Sequence, residues 1–130
     1  MTSQEALLSR DLLLLVESEE YVKNIKINIE LIKTVKDCFA FIITAPSSDP
    51  NYDFVSRFFA PNAGIAEDPV TGSAHSMLIP FWAEKLNKNK LIAKQLSKRG
   101  GTLYCTHNGN RVKISGKAKL YLEGNIRVCP

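Results

Sequence analysis

The sequence predicts one α+β domain over residues 1–130, in which a curled mixed or antiparallel sheet wraps around a central helix. Several short apolar runs have the length of strands rather than helices. One longer segment, 71–87, is apolar on nearly every side in its second half, which is typical of a helix enclosed by other elements. Asn108-Gly109 is a strong hairpin signal between two of the short runs. A chain of 130 residues, 45% hydrophobic and 23% charged, has the size and composition of one globular domain.

The first part of the sequence predicts two buried strands separated by two short helices. The run from Asp11 to Glu17 has a continuous apolar centre of strand length. Ser18 and Asn28 are candidate N-caps for helices over 19–25 and 28–35, although the alternating apolar residues of this region also fit a strand. The segment 38–44 is rich in β-branched and aromatic residues and ends at a turn-forming run, which predicts the second buried strand.

The rest of the sequence predicts a strand, a loop, the central helix and a group of short strands. After a strand over 52–60, a loop carries Glu67 and Asp68 into the helix of 71–87. Pro80 is expected to bend this helix, because proline lacks the amide that would bond to the Ser76 carbonyl. The segments with strand character that follow are 95–98, 103–107, 111–115 and 117–122, with 126–128 as a further candidate.

The charge and the cysteines argue against several classes of protein. The net charge of +4 is a mild excess, and the basic residues of 85–99 lack the interleaved aromatics of a nucleic-acid surface, so we expect no nucleic-acid partner. The apolar run 12–16 is far too short to span a membrane and has no signal-peptide flanks, which predicts a cytoplasmic protein without a membrane partner. Three cysteines at no metal-like spacing suit reduced thiols, and Cys105 with His107 falls short of a ligand set.

The chemically most suggestive segment is the acidic pair Glu67-Asp68, followed by the small-residue run 71–74. Exposed amides and the positive end of the helix make such a start a ready anion site. Gly72 allows close approach to the backbone, and the hydroxyls of Thr71 and Ser73 add hydrogen-bond donors. The segment therefore suits a small carboxylate substrate beside a proton-transfer group, Asp68.

Purely structural roles compete with this interpretation. An Asp or Thr before a helix is most often an N-cap, worth about 1 kcal/mol of stability, and spacing alone favours that role. In the chain alone we expect Asp68 to be ionised and to cap the helix. His75 is more often a packed helix residue than a base, and Arg57 is more often an ion-pair residue than an anion clamp.

Two motifs resemble the signature of the PhzF-like (phenazine biosynthesis-like) family. They are Ser56-Arg57-Phe58-Phe59-Ala60-Pro61 and, after Gly64, Glu67-Asp68-Pro69-Val70-Thr71-Gly72-Ser73-Ala74-His75. The resemblance continues through 95–101, 116–118 and 122–124, so it covers most of the chain from Asp11 onward.

The resemblance implies a fold similar to one half of diaminopimelate epimerase, in which two similar halves each wrap a sheet around a helix and the active site lies between them. It also implies a cofactor-independent isomerase that moves a proton on a small carboxylate by acid/base catalysis, with no metal. By position, Asp68 matches the family's acidic residue of the second half. Gly72 and Ser73 match its substrate-contacting helix start.

The family's first half, with its catalytic glutamate, is not among these 130 residues. The resemblance therefore implies that activity requires a partner, either a separate first-half chain or a second copy in a homodimer. Glu67 is not expected to replace the glutamate, since neighbours on one loop usually point in different directions. The alternative is a non-catalytic small-carboxylate-binding or assembly domain that keeps the fold and the anion pocket.

Overall fold

The computed structural model describes residues 3–129, and in this range the chain folds as an α+β domain with eight strands and three α-helices. In chain order these are β1 (Glu5–Leu8), β2 (Leu12–Leu15), α1 (Glu19–Asn24), α2 (Ile29–Lys33), β3 (Phe41–Pro46), β4 (Phe54–Ala60), β5 (Ile65–Asp68), α3 (His75–Leu86), β6 (Lys90–Gln95), β7 (Gly101–Asn108) and β8 (Arg111–Ser115). A short 3-10 helix, Pro61–Ala63, joins β4 to β5.

All eight strands belong to one mixed sheet, in agreement with the predicted mixed topology. The order is β1-β2-β3-β4-β6-β7-β8, and β5 pairs with β4 beside this path. The pairs β2–β3 and β4–β6 are parallel, and the other described pairs are antiparallel. β3 pairs with one edge of β4, so β5 and β6 share the other edge. Gln95 of β6 lies opposite Ser56, and Asp68 of β5 lies opposite Phe58. The ends of β5 and β6 are thereby brought together.

Helices cover both faces of the centre of the sheet. Side chains alternate between the two faces along β3 and β4, as the pleat of a strand requires. One face packs on α3 through a cluster that includes Ile42, Phe54, Phe58, Leu78, Ile79 and Trp82. The other packs on α1 and α2 through a cluster that includes Phe41, Ile43, Val55, Phe59, Val22 and Ile32. The site described below lies at the start of α3, so the first cluster anchors it.

The predicted caps of the two short helices are confirmed. The Ser18 hydroxyl accepts a hydrogen bond from the Tyr21 amide at 3.2 Å, and the Asn28 side chain accepts one from the Leu31 amide at 3.1 Å. Each cap satisfies an amide that has no partner within its helix. The Asn108-Gly109 hairpin is also confirmed, since it joins β7 to β8 with a positive φ of 59° at Gly109.

Three of the strands before β7 differ from the prediction. β1 was not predicted, because its short sequence Glu-Ala-Leu-Leu has no clear period. β6 covers Lys90–Gln95 rather than 95–98. Its inward positions include the polar Gln95, and its outward positions include Ile92, so the segment has no strict apolar alternation. The segment predicted as a loop around Glu67 and Asp68 is the short strand β5.

The central helix is shorter and less enclosed than predicted. It begins at His75 rather than Thr71, because residues 72–74 form a turn in which the amides of His75 and Ser76 donate to carbonyls three residues back instead of four. It ends at Leu86, and Asn87 follows in a left-handed conformation at φ 49°. Met77 and Phe81 lie only partly buried beside a groove of about 530 Å³ next to β1.

The predicted strands over 117–122 and 126–128 are wrong, since no regular structure follows Ser115 up to Cys129. Their apolar side chains extend into solvent, because no neighbouring strand among the described residues pairs with this segment. No helix among residues 3–129 has both the length and the apolar character needed to cross a membrane.

Candidate functional site

The acidic pair at the end of β5 is divided between two environments. Successive side chains of a strand point to opposite faces, so Glu67 and Asp68 diverge. Glu67 forms a two-point ion pair with Arg57, at 2.7 Å to Nε and 2.9 Å to Nη2. Arg57 also donates through Nη1 to the carbonyls of Val22 and Ile25. The pair ties β4, β5 and α1 together, and Arg57 is the structural ion-pair residue that the sequence favours.

Asp68 belongs to a hydrogen-bonded network with Thr71 and Gln95. The Thr71 hydroxyl donates a short hydrogen bond to Oδ2 of Asp68. Gln95 accepts from the Thr71 amide at 2.8 Å and donates through Nε2 to the Asp68 carbonyl at 2.8 Å and to the Thr71 hydroxyl at 3.1 Å. Thr71 and Gln95 are buried, whereas Asp68 is half-buried. The network fixes the carboxylate of Asp68 at the surface of the domain.

The turn 72–74 leads from this network into α3. Gly72 and Ser73 are exposed, and a Cβ placed on Gly72 would meet no atom within 4 Å. Within residues 3–129, the amides of Gly72, Ser73 and Ala74 donate to no protein group. Ala74 is buried, so the amides of the exposed Gly72 and Ser73, with the Ser73 hydroxyl, are the donors available to an anion near the positive end of α3.

The expectation that Asp68 caps the central helix is wrong. The N-cap is Ala74, which has no side-chain cap, and Asp68 binds Thr71 well before the helix begins. The cause is the position of Thr71, whose amide is held by Gln95 outside the helix. Thr71 consequently holds Asp68 through its hydroxyl, and any contact between Thr71 and a ligand stays a prediction.

His75 is a packed residue of the helix, as its spacing favours. It is fully buried, and its Nδ1 donates to the Thr71 carbonyl at 2.7 Å. Nε2 has no partner among the described residues and lies in a buried environment with the Phe54 ring nearby. Burial lowers the pKa of His75, which opposes the imidazolium form and outweighs the effect of the Thr71 carbonyl.

The loop before the turn is held from the side of β7. Ser97 donates to the Pro69 carbonyl at 2.7 Å and accepts from the Gly100 amide at 2.9 Å. A Cβ on Gly101 would lie 2.2 Å from Cγ2 of Val70, so only glycine fits there without displacing Val70. The start of β7 thus sets the path of the chain into Thr71.

The sequence predicts no role for two residues that contact this site, Gln95 and Arg10. Gln95 falls within the family-like segment 95–101, but its side chain reaches Thr71 only because β5 and β6 share one edge of β4. Arg10 lies in the β1–β2 hairpin, and its Nη2 donates to the Ser73 hydroxyl at 3.2 Å. The adjacent charges Arg10-Asp11 before an all-leucine strand are the one sequence signal for this contact.

The cysteines form no disulfide within residues 3–129. All three are free thiols, with Cys38 partly buried, Cys105 buried and Cys129 exposed. Burial raises the pKa of Cys105 to about 11. Within residues 3–129 no group of three or more His, Cys, Asp or Glu side chains is placed to hold a metal ion.

The arrangement combines a fixed carboxylate with free hydrogen-bond donors. A carboxylate can take up or release a proton, and free amides beside a helix start can hold an anion. Asp68, Gly72 and Ser73 are brought together as the sequence predicts, and their roles toward a ligand remain predictions.

Comparison with known proteins assigns the chain to a family. Residues 5–124 match the family described as phenazine biosynthesis-like protein. An uncharacterized isomerase of Pseudomonas aeruginosa is 49% identical over 117 residues, which cover 90% of this chain and 44% of that protein.

Solved structures agree with this assignment. A phenazine biosynthesis PhzC/PhzF protein of Clostridium difficile is similar with a TM-score of 0.87 at 47% identity, covering 98% of this chain and 49% of that one. A PhzF-family protein of Enterococcus faecalis is similar with a TM-score of 0.88 at 44% identity, covering 93% and 46%. The chain spans about half the length of these relatives, and it belongs to the phenazine biosynthesis-like, or PhzF, family.

Proposed function

We propose that the chain is one half of a cofactor-independent PhzF-type isomerase, which moves a proton on a small carboxylate substrate when a second half completes the site. The observation that carries the proposal is the Asp68 carboxylate, fixed by Thr71 beside the free, exposed amides of Gly72 and Ser73. The matched relatives that are named as isomerases support the type of reaction.

The geometry supports separate roles for the parts of the turn. The amides of Gly72 and Ser73 and the Ser73 hydroxyl hold the carboxylate of the substrate, because they are the exposed free donors of this region. Asp68 exchanges a proton with a carbon of the same molecule. An isomerisation also needs a group that returns a proton at another position, and the family resemblance implies a glutamate of the first half for that step.

The surface of the chain supports the need for a second half. Large apolar side chains of the last described segment are almost fully exposed, at 84% for Leu120, 99% for Tyr121 and 91% for Ile126. Contiguous exposed apolar residues mark interaction sites. A PhzF-type first half is the partner that the half-length match favours, and a homodimer is the second choice.

The proposal also includes the curvature of the sheet. The sheet curls around α3 as one half of a diaminopimelate epimerase-like fold. Contacts of α3 with β6, β7 and β8, together with its core packing against β2, β3 and β4, support this description.

Proton exchange in D2O tests the role of Asp68. The chain is mixed with the first half of the Clostridium difficile relative, incubated with a panel of small carboxylates, and assayed for carbon-bound deuterium by mass spectrometry. Asp68→Asn should lower incorporation by about 100-fold or more, the usual contribution of a general acid or base. The exposed Asp37, whose left-handed conformation asparagine tolerates, gives the matched control Asp37→Asn.

The same assay separates the competing function. Equal incorporation by Asp68→Asn and the unsubstituted chain would remove Asp68 from the reaction. Carboxylate binding without any incorporation in the assembly would favour the non-catalytic small-carboxylate-binding or assembly domain.

A further inference from the structure

We infer that Arg10 is a substrate-binding residue, which holds a carboxylate of the ligand together with Ser73, and that Asp11 positions it. The inference rests on the proposed function for the place of the ligand, and it adds a residue from a different part of the chain. Arg10 lies in the hairpin between β1 and β2, far in sequence from the turn 72–74.

Asp11 is the first reason to single out this arginine. Its side chain is almost fully buried, with a relative exposure of 2%, whereas that of Arg10 is 53% exposed. Both carboxylate oxygens accept from the same guanidinium, Oδ1 from Nε at 3.0 Å and Oδ2 from Nη2 at 2.7 Å. Burying a carboxylate is costly unless it is paired, and here the pairing goes to an exposed arginine. Such a pair fixes the orientation of a guanidinium that would otherwise move freely in solvent.

Further contacts hold Arg10, one through its guanidinium and one through its backbone. Its Cζ lies 5.0 Å from the centre of the Phe39 ring, and the Phe39 amide donates to the Arg10 carbonyl at 2.8 Å. The hydrogen bond with Asp11 raises the pKa of Arg10 above its ordinary value, so the side chain keeps its charge. The long side chain is thus preorganised, which reduces the entropy lost when it binds a ligand.

The contact with Ser73 sets the place of this guanidinium in the site. Nη2 donates to the Ser73 hydroxyl at 3.2 Å, and the two N–H groups of Nη1 have no protein partner within residues 3–129. Arginine and free amides are donors suited to a carboxylate. The Asp68 carboxylate, on the other side of the turn, repels the carboxylate of the ligand. A substrate is therefore held with its carboxylate toward Arg10 and its reacting carbon toward Asp68.

An NMR titration of the chain with sodium acetate tests the inference, with ionic strength kept constant by sodium chloride. Acetate should shift the amide signals of 72–74 and the Nε–H signal of Arg10, whereas the neutral isostere acetamide should shift neither. Arg10→Gln should weaken acetate binding about tenfold, because a charged hydrogen-bond donor is lost. Arg111→Gln, at an exposed position on β8, is the matched control and should bind as the unsubstituted chain does.

Arg10→Lys is the control for a general loss of structure, because it keeps a positive charge beside Asp11. It should recover part of the affinity that Arg10→Gln loses. No recovery, or acetate binding by Arg10→Gln equal to that of the unsubstituted chain, would overturn the role of Arg10, as would the absence of any acetate response. The proposed function fails by a different result, the lack of Asp68-dependent deuterium incorporation, so the two ideas are separable.

Discussion

Gln95 is the residue that fixes the turn carrying Asp68. It is fully buried and bonds the amide and hydroxyl of Thr71 and the carbonyl of Asp68. Gln95→Leu keeps a similar volume but leaves the buried Thr71 amide without a partner. We expect the free energy of unfolding to fall by about 1–3 kcal/mol, measured by urea denaturation.

Gln4→Leu is the control for this substitution, because Gln4 is exposed and only its backbone is bonded in the structure. It should change the free energy of unfolding by less than about 0.5 kcal/mol. A Gln95→Leu chain as stable as the control would show that the network does not hold the turn.

His75 gives the chain a pH-dependent stability. Its pKa is lowered in the folded chain by burial, whereas the unfolded chain takes up the proton near pH 6.5. Below that pH the unfolded state binds more protons, so the free energy of unfolding falls with decreasing pH, by at most about 1.4 kcal/mol per pH unit from this residue. Its contribution is fully present above pH 6.5 and is lost on acidification.

Urea denaturation at pH 7.5 and 5.5 measures this effect. His75→Leu removes the titrating group and should flatten the dependence of the free energy of unfolding on pH. If the free energy of unfolding fell equally from pH 7.5 to pH 5.5 in His75→Leu and in the unsubstituted chain, the pH dependence could not be assigned to His75.

At the scale of single residues, the sequence predicts the part of the site whose residues are close together in the chain. Asp68, Gly72 and Ser73 lie in one motif whose small residues and acidic group suggest an anion site. Gln95 and Arg10 could not be found in this way, because their contacts depend on which strands share an edge and on where the β1–β2 hairpin lies.

At the scale of elements, the contact between β7 and the loop before α3 is the most constrained. Gly101→Ala would bring a methyl group to 2.2 Å from Val70. We expect a loss of about 1–3 kcal/mol in the free energy of unfolding, as for overpacked sites. The loss should be smaller in a Val70→Ala background, which removes the Cγ atoms, and the double-mutant cycle measures the difference by urea denaturation. Strictly additive losses would contradict the steric explanation.

The elements were predicted well where local chemistry decides them. Ser18 and Asn28 are N-caps that fix where the two short helices begin, and the Asn108-Gly109 turn forms without contacts to distant residues. The strand character of 117–122 and 126–128 predicts strands that the structure lacks. A strand also needs a neighbour with which to pair its backbone, and within residues 3–129 this segment has none.

At the scale of the whole molecule, two parts of the described surface have no protein partner. They are the exposed apolar side chains of 117–128 and the free amides of Gly72 and Ser73. The relatives that match this chain are about twice its length. We therefore expect their remaining half to be the kind of partner that completes the site.

The most direct test of this account is a titration of the 130-residue chain with the first half of the Clostridium difficile relative, with deuterium incorporation into small carboxylates as the readout. We predict no incorporation by either half alone and a rise that saturates at one first half per chain. Incorporation by the chain alone at the rate of the completed assembly would contradict the central claim, because the isolated half would then carry every group that the proton transfer needs.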